Sequence, residues 1–362
     1  MKISNSIKEY FKYCVIKGIN IKKDDYVEIV TSTSIISFIS ILKEVLEEYT
    51  NNIYVTFNDG DELASEINND WELYLNNKIK SYKMLMLNHF KRIRINSPFT
   101  MPITRTWAIE RYLENTYRLR FLQDYFLINP HTTIAVPNEI WALKLGISID
   151  ELWEKIIELS YKESMMSLYK NELNNLGIKY LHFKTSLGTN ITFGMNDNFK
   201  FLDKNLDNRT FQANIPCLEL FTSPNKYDVN GTIVSSKPLY YKGSKIDNYM
   251  LIFKDGKLVY NEGLEDIIGI DKTLQYIGEV SIVEGFNPYV FYSTLLDENA
   301  GCHIALGEGF KNTSSNTKNI NESLNHIDLV FGYYDTEVSA LLDDGSEVLL
   351  MKDSLFVYRG NK

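Results

Sequence analysis

The chain has 362 residues, of which 44% are hydrophobic and 23% charged, and its formal net charge is −9. These values are ordinary for a soluble globular protein and supply enough apolar surface for a core, while the length favours two domains over one. The acidic balance, without any basic run longer than a pair, argues against nucleic acid or an anionic membrane as a partner. No apolar stretch approaches the length of a transmembrane helix.

The three cysteines, Cys14, Cys217 and Cys302, are odd in number and far apart, so no disulfide framework is indicated. The first residues lead into an amphipathic stretch rather than a signal-type apolar run. We therefore expect a cytoplasmic protein.

Strands and helices alternate along the first half of the chain. Strands are predicted at Tyr26–Val30, Ile53–Phe57, Arg92–Ile95 and Thr132–Val136. Helices are predicted at Ile35–Tyr49, around Trp71 and Leu73, and along Thr104–Tyr125. This order predicts an α/β domain with a mainly parallel sheet. The sequence lacks a glycine-rich phosphate loop, so a nucleotide is not indicated.

The pattern of predicted secondary structure changes after a second long helix, predicted at Ser148–Leu176. Short strands and turns follow, including a hairpin around Asp255-Gly256, a strong two-residue turn signal. We place the domain boundary near residue 175, with an α/β domain over 1–175 and a β-rich α+β catalytic, metal-binding domain over 176–362. The polar run Lys311–Ser323 is predicted to be a mobile surface loop.

Two histidines and four acids of the second half form a candidate metal site. His326 and Asp328 alternate with apolar residues, so on a strand both side chains lie on one face. Glu298 and His303 are five residues apart and cannot share one face of a regular helix. We expect Glu298 at the start of a helix and His303 one turn further along. The alternative for His326 and Asp328 is a histidine whose hydrogen bonds are satisfied, beside an aspartate that faces solvent. The alternative for Glu298 is that it only caps the amides at the start of a helix.

Glu219 and Glu279 lie within apolar segments that are predicted to be strands. A buried acid is unfavourable unless it is paired or metal-bound, so their placement favours a functional role over simple exposure to solvent. Cys217 is two residues from Glu219 and Cys302 adjoins His303, but without Cys-Xaa-Xaa-Cys spacing we expect both to be small buried hydrophobes.

A series of short motifs accompanies these residues, in one order along the chain. They are Gly188–Phe193, Asn214–Pro216 with Glu219–Pro224, Val229–Thr232, Gly278–Val280, Phe291–Ala300, His303–Gly307 and His326–Asp328. Together they closely resemble the thermophilic-type metallo-aminopeptidases, metallopeptidase family 29. The resemblance is dense over Leu187–Phe331 and extends to the first half only through its α/β layout.

This resemblance implies a homodimeric exopeptidase that hydrolyses N-terminal residues from peptides with two divalent ions, zinc or cobalt before manganese or magnesium. The family's metal ligands fall on Glu219, Glu279, Glu298, His303, His326 and Asp328. Glu279 would bridge the two ions, and Glu279 and Glu298 would also serve catalysis. The charge agrees independently, since four carboxylates carry −4, which two divalent cations neutralise. Such an ion pair can activate water, polarise the scissile carbonyl and anchor the substrate amine.

One position departs from the family pattern. Seven residues after the ligand histidine the family has a catalytic tyrosine, and this chain has Phe310. If a helix continued through Gly307 and Gly309, Phe310 would share the face of His303. The alternatives are a slower enzyme, a substitute hydroxyl from Tyr292 or Tyr333, or altered chemistry.

Two competing functions follow from the same residues. His303, His326 and Asp328 could form the two-histidine, one-carboxylate triad of a mononuclear non-haem iron dioxygenase that cleaves aromatic rings. Such a triad does not require the three glutamates, whose presence argues against it. The second alternative, motivated by Phe310, is a catalytically weakened relative that binds metal or peptide.

Overall fold

The computed structural model describes residues 2–57, 70–100, 114–205, 209–241 and 244–358. The chain divides into two compact units, the first containing Met1–Lys162 and Asn208–Pro216, the second Glu163–Asp207 and Cys217–Lys362. The second unit thus starts before the boundary we placed near residue 175, and a short segment beyond that boundary returns to the first unit. The functional assignment of each domain stays a prediction.

The strands of the described residues, labelled in chain order, have the following bounds. They are β1 Val27–Thr31, β2 Ile53–Phe57, β3 Lys91–Asn96, β4 His131–Ala135, β5 Ile178–Lys184, β6 Asn190–Gly194, β7 Asn214–Ile215, β8 Glu219–Thr222, β9 Val229–Val234, β10 Leu239–Tyr241, β11 Ser244–Ile246, β12 Met250–Lys254, β13 Lys257–Glu262, β14 Ile277–Val283, β15 His303–Gly307, β16 His326–Val330, β17 Glu337–Leu342, β18 Glu347–Lys352 and β19 Leu355–Phe356.

The helices of the described residues are mostly short. The α-helices are Lys2–Tyr13, Ile36–Glu47, Trp71–Leu87, Phe121–Phe126, Glu139–Leu145, Ile149–Ser160, Lys170–Asn174, Glu265–Ile270 and Thr294–Asp297. A π-helix spans Cys14–Gly18, and 3-10 turns span Thr33–Ile35, Met165–Leu168, Lys272–Gln275, Glu298–Ala300, Lys311–Thr313 and Thr317–Asn319.

The first unit is built around a five-stranded sheet of order β2-β1-β3-β4-β7 in which every pairing is parallel. The predicted parallel α/β layout is therefore confirmed. All five residues of β1 are buried, and the helix Ile36–Glu47 that follows it buries Ile39, Leu42, Val45 and Leu46, as expected of an α/β layer. Trp153 packs edge-on against Tyr10 and Phe11 within this unit.

Two long helices predicted from the sequence are interrupted. Of the helix predicted at 104–125, residues 104–113 lie outside the described part of the chain, and residues 114–118 are separated by a turn from the helix Phe121–Phe126. The helix predicted at 148–176 starts with a capping box between Ser148 and Glu151 but ends at Ser160. The polar residues 162–164 break its apolar spacing, and the Ser164 hydroxyl donates to the Leu218 carbonyl.

The second unit contains two larger antiparallel sheets. One has eight strands in the order β13-β12-β9-β6-β5-β17-β18-β19, and the other has four in the order β16-β15-β14-β8. A single core cluster includes buried residues of both sheets, with Phe183 of β5 packed edge-on against Phe331 after β16. The predicted hairpin is present as β12 and β13 around Asp255-Gly256.

The polar run Lys311–Ser323 is not a simple surface loop, which corrects the sequence prediction. It contains two 3-10 turns, and Thr313, Ile320 and Asn321 are buried. The Asn321 amide donates to the carbonyls of Thr273 and Gly307 at 2.9 and 2.6 Å. These bonds fix the segment that leads into β16.

Candidate metal centre

The four-stranded sheet carries the candidate ligands on one of its faces. In the register of the strands, Ala305 lies opposite Glu279 on one side and Asp328 on the other. Ser281 lies opposite both His303 and Phe221. Because side chains alternate along a strand, the acids and histidines of this sheet point to the same side. These residues are Glu219 of β8, Glu279 of β14, His303 of β15, and His326 and Asp328 of β16.

Glu219, Glu279 and His303 form the first group of converging donor atoms. The Nε2 atom of His303 lies 2.9 Å from Oε2 of Glu219 and 3.8 Å from Oε1 of Glu279. One ligand atom from each residue lies within 4.8 Å of the others, and all three residues are buried. This spacing suits the coordination of a single cation.

Glu279, His326 and Asp328 form a second such group. The Nε2 atom of His326 lies 3.1 Å from Oε2 of Glu279 and 3.1 Å from Oδ1 of Asp328. Glu279 therefore belongs to both groups, with one carboxylate oxygen directed to each histidine. A shared carboxylate between two donor sets is the arrangement needed to bridge two ions.

The backbone fixes which ring nitrogen each histidine presents. The Nδ1 atom of His303 lies 3.2 Å from the Gly301 carbonyl, and that of His326 lies 2.8 Å from the Glu308 carbonyl. A carbonyl oxygen can only accept, so Nδ1 carries the proton in both rings. Nε2 therefore faces the acids, and in the neutral ring its lone pair is the one available to a metal.

Glu298 stands apart from the two compact donor groups. It begins a 3-10 turn directly after the helix Thr294–Asp297, and its side chain is buried. Burial, followed by the charges of Asp328 and Glu219, raises the pKa of the Glu298 carboxyl well above its usual value. The Glu298 carboxyl therefore interacts electrostatically with the other acids of the site.

The predicted helical position of His303 is wrong. The helical turn ends at Ala300, Gly301 adopts extended backbone, and His303 opens strand β15. Gly301 and Cys302 link the helical turn to the strand, and a Cβ atom on Gly301 would lie 3.2 Å from the Phe286 ring. His303 thus reaches the site from a strand that pairs with both β14 and β16.

The charges of the acids act strongly on both histidines. Burial lowers the pKa of the His303 imidazole, but Glu219 and Glu279 outweigh it and hold the pKa well above its usual value. For His326, burial has the same lowering effect, which Asp328 and Glu279 outweigh. Positive charge is thus favoured at this site, and a metal cation would supply it without protonating the rings.

Two supporting residues were not identified from the sequence. The Ser281 hydroxyl donates to Oε2 of Glu219 from two residues beyond Glu279 on the same strand face. Gly278 is required by close approach, since a Cβ atom there would lie 2.4 Å from the carbonyl oxygens of Gly307 and Glu308. The period of two in β14 could have indicated Ser281, whereas the contact at Gly278 depends on a distant strand.

Phe310 lies beside the site, although not for the reason predicted. The chain leaves β15 at Gly307 without forming a helix, so the shared helical face with His303 is wrong. Its ring centroid lies 5.4 Å from that of His326 and 4.8 Å from that of Phe221. The Phe310 amide donates to the Ser223 hydroxyl at 2.7 Å.

The two tyrosines considered as substitutes lie in different surroundings. The Tyr333 ring packs on Phe286 and Tyr334. Tyr292 lies 6.4 Å, between ring centroids, from Tyr240. Tyr240 itself lines a cleft together with Glu298 and Asp328, which the sequence did not indicate.

The sequence profile of the thermophilic metalloprotease family, metallopeptidase family 29, matches residues 3–356. The chain belongs to this family. The match confirms the resemblance seen in the sequence and the prediction of a hydrolase of the metallo-aminopeptidase class. Divalent metal use agrees with the two donor groups.

Two curated relatives are aminopeptidases by name. Aminopeptidase 2 of Geobacillus stearothermophilus is 31% identical over 63% of this chain and 65% of its own length. Aminopeptidase AmpS of Bacillus subtilis is 26% identical over 98% of this chain and 99% of its own length. Thus the aligned region spans slightly under two thirds of the first relative and nearly all of the second.

Two solved structures share the fold. Wild-type AmpT from Thermus thermophilus superposes with a TM-score of 0.82 at 20% identity, covering 98% of this chain and 99% of that chain. A 2,5-dihydroxypyridine dioxygenase from Pseudomonas putida KT2440 gives 0.56 at 12% identity, covering 99% and 98%. Among the described residues, no helix is long and apolar enough to cross a membrane.

Proposed function

We propose that this chain removes N-terminal residues from peptides with two divalent ions held by six side chains. The proposed ligands are Glu219, Glu279, Glu298, His303, His326 and Asp328. The observation that carries the proposal is the pair of donor groups joined by Glu279, whose two oxygens face different histidines. For a given set of nitrogen and oxygen ligands, affinity is higher for cobalt and zinc than for manganese, so we propose zinc or cobalt before manganese or magnesium. When bound, such ions activate water and polarise the scissile carbonyl.

The chain's own residues would orient this chemistry. The carbonyls of Gly301 and Glu308 hold the imidazoles, so that Nε2 of each ring faces inward. The Ser281 hydroxyl restrains one oxygen of Glu219. Glu279 would couple the two halves of the site. Glu298, which lines the cleft together with Asp328, would be both ligand and catalytic carboxylate. Phe310, in the usual tyrosine position, would present a hydrocarbon edge near His326.

The dioxygenase alternative is less well supported. His303 falls in one donor group and His326 with Asp328 in the other, so the proposed triad does not form a single cluster. The likeness to a dioxygenase structure concerns the fold alone. Peptide substrates, a homodimer and a cytoplasmic location accompany the proposal as predictions. Three unpaired cysteines are consistent with a reducing compartment.

Metal content and activity of the purified protein test the proposal together. We expect two zinc or cobalt ions per chain by elemental analysis, and hydrolysis of aminoacyl chromogenic substrates that is abolished by chelation and restored by Zn²⁺ or Co²⁺. An N-terminally acetylated peptide serves as the control, because an aminopeptidase needs the free amine. One iron per chain, with no peptide hydrolysis, would contradict the proposal.

A further inference from the structure

A buried lysine lies at the edge of the candidate metal centre. Only 1% of the Lys237 side chain is exposed, and its Nζ atom lies 3.0 Å from Oδ1 of Asp297. The same Nζ donates to the Tyr289 carbonyl at 2.6 Å. Lysine is rarely buried to this degree without a partner, so the two contacts explain how it is tolerated.

The carboxylate of Asp297 organises the chain around it. Its Oδ1 atom accepts from the Phe291 amide at 2.9 Å, and its Oδ2 atom accepts from the Ser293 amide at 3.0 Å. Asp297 ends the helix that immediately precedes Glu298. The loop before this helix is therefore tied to the residue next to a proposed ligand.

The ion pair also joins two chain segments that line one cleft. Pro238, Leu239 and Tyr240, which directly follow Lys237, line the cleft. Thr294, Asp297 and Glu298 line it as well, together with Asp328, Tyr249 and Val330. The cleft holds about 280 Å³ of empty space, counting the part open to solvent. Lys237 thus connects the chain segment that begins at Pro238 to the segment that carries Glu298.

The Lys237–Asp297 pair leaves the net charge of the candidate metal centre unchanged. The four carboxylates among the proposed ligands carry −4, and Asp297 would raise this to −5 without a partner. Lys237 cancels that extra charge, which leaves the −4 that two divalent cations match.

We propose that Lys237 is a positioning residue. Through Asp297, it holds Glu298 in place to bind one of the two proposed metal ions. This inference rests on the proposed two-ion function. The pair would act by geometry, because its own charges cancel and neither residue belongs to the two donor groups.

Lys237→Met separates a positioning role from an electrostatic one. Loss of a nearby positive charge alone makes the site more negative, and would strengthen cation binding. Loss of positioning should instead weaken cation binding. We expect about a tenfold to 100-fold lower affinity for one of the two ions, which is the range found when groups that support a metal ligand are removed. Calorimetric titration of Zn²⁺ into the metal-free protein measures this without reference to activity. Unchanged or tighter binding of both ions would overturn the proposal.

Two further variants protect the test against simple misfolding. Lys237→Met with Asp297→Asn leaves no unpaired buried charge and should fold better than the single variant, yet still bind one ion about tenfold more weakly. If the double variant binds both ions like the parent, the pair is only structural and the proposal fails. Arg92→Met is the matched control, because it breaks a buried 2.7 Å pair with Glu28 in the first unit. It should lower stability and leave Zn²⁺ binding of the folded protein unchanged.

The parent protein distinguishes this inference from the function on which it rests. If the parent binds fewer than two ions and hydrolyses no peptide, the proposed function fails. If the parent binds two ions and hydrolyses peptides while Lys237→Met retains both sites, only the role of Lys237 is refuted.

Discussion

The two faces of the four-stranded sheet are made from the same strands but have opposite chemistry. One face contributes a row of apolar side chains to the core, namely Leu220, Val280, Ile282, Ile304, Leu306, Ile327 and Leu329. The other carries the acids and histidines, several of which are equally buried. Burial stabilises the first set directly, whereas the second set needs compensating charge. Replacement of Ile304 should therefore lower stability, whereas replacement of the adjacent His303 should impair metal binding.

Glu279→Gln should have the largest effect. The shared carboxylate is within reach of both histidines, so a neutral amide weakens both donor groups at once. We expect a fall in kcat/KM on the order of 10³-fold or more, as for the loss of a principal electrostatic group, together with loss of bound metal. Elemental analysis and aminoacyl substrate hydrolysis measure the two effects. Glu262→Gln on the exposed strand β13 is the control, and retention of two ions by the Glu279 variant would contradict the assignment.

Ile304→Ala tests the opposite face at the residue next to His303. Ile304 is fully buried in the core, and its truncation should lower the free energy of unfolding by about 2–5 kcal/mol. Urea denaturation of the metal-free protein measures this, and Ile304→Val should reduce stability by only about 0.5–1.5 kcal/mol. Metal stoichiometry of the folded protein should not change. Loss of metal without loss of stability would show that the two faces are not independent.

Phe310→Tyr restores a hydroxyl at the edge of the ligand-bearing face. Because the ring lies against His326, we expect the hydroxyl to reach the reacting region and to raise kcat. A single donor to developing negative charge typically contributes about 10²–10³-fold, so a rise of about 10- to 100-fold is expected from an unoptimised donor. Phe310→Leu, without a hydroxyl, should give no rise. If the tyrosine variant is no faster than the parent, Phe310 is not in the catalytic position.

Ser281→Ala should have the smallest effect of the four. It removes the hydroxyl that restrains Oε2 of Glu219 while leaving all proposed ligands in place. We expect about tenfold weaker binding of one ion, measured by competition with a chromogenic chelator. Ser339→Ala removes a comparable serine–glutamate hydrogen bond, to Glu347 at 3.0 Å on an exposed strand, and should not affect metal binding. Equal effects of the two variants would exclude a specific role for Ser281.

Local patterns were sufficient for the strands and for part of the site. The alternation at 326–331 predicted β16 and the common face of His326 and Asp328, whose side chains lie 3.1 Å apart. The apolar run at 277–283 predicted a strand with an acid inside it, and Glu279 is indeed buried on β14. These predictions succeeded because the period of two is a property of the strand itself.

Predictions that depended on continuation of an element were less accurate. His303 was expected on a helix, yet it begins β15, which lies between β14 and β16 and pairs with both. The run Lys311–Ser323 has the composition of a mobile loop. Its asparagine and serine side chains instead form bonds with backbone and with Asp271, partners more than ten residues away. Composition cannot reveal such partners.

By itself the sequence determined the alternation of polar and apolar residues, the parallel α/β layout of the first half, the ligand types and the family motifs. These depend on local periodicity and on the chemistry of individual side chains. Only the tertiary structure decided that Glu279 is shared between two donor groups, that Phe310 lies against His326, and that Lys237 reaches Asp297. Each of these contacts depends on the register of strands or on loops that are distant in the chain, and no local pattern encodes that register.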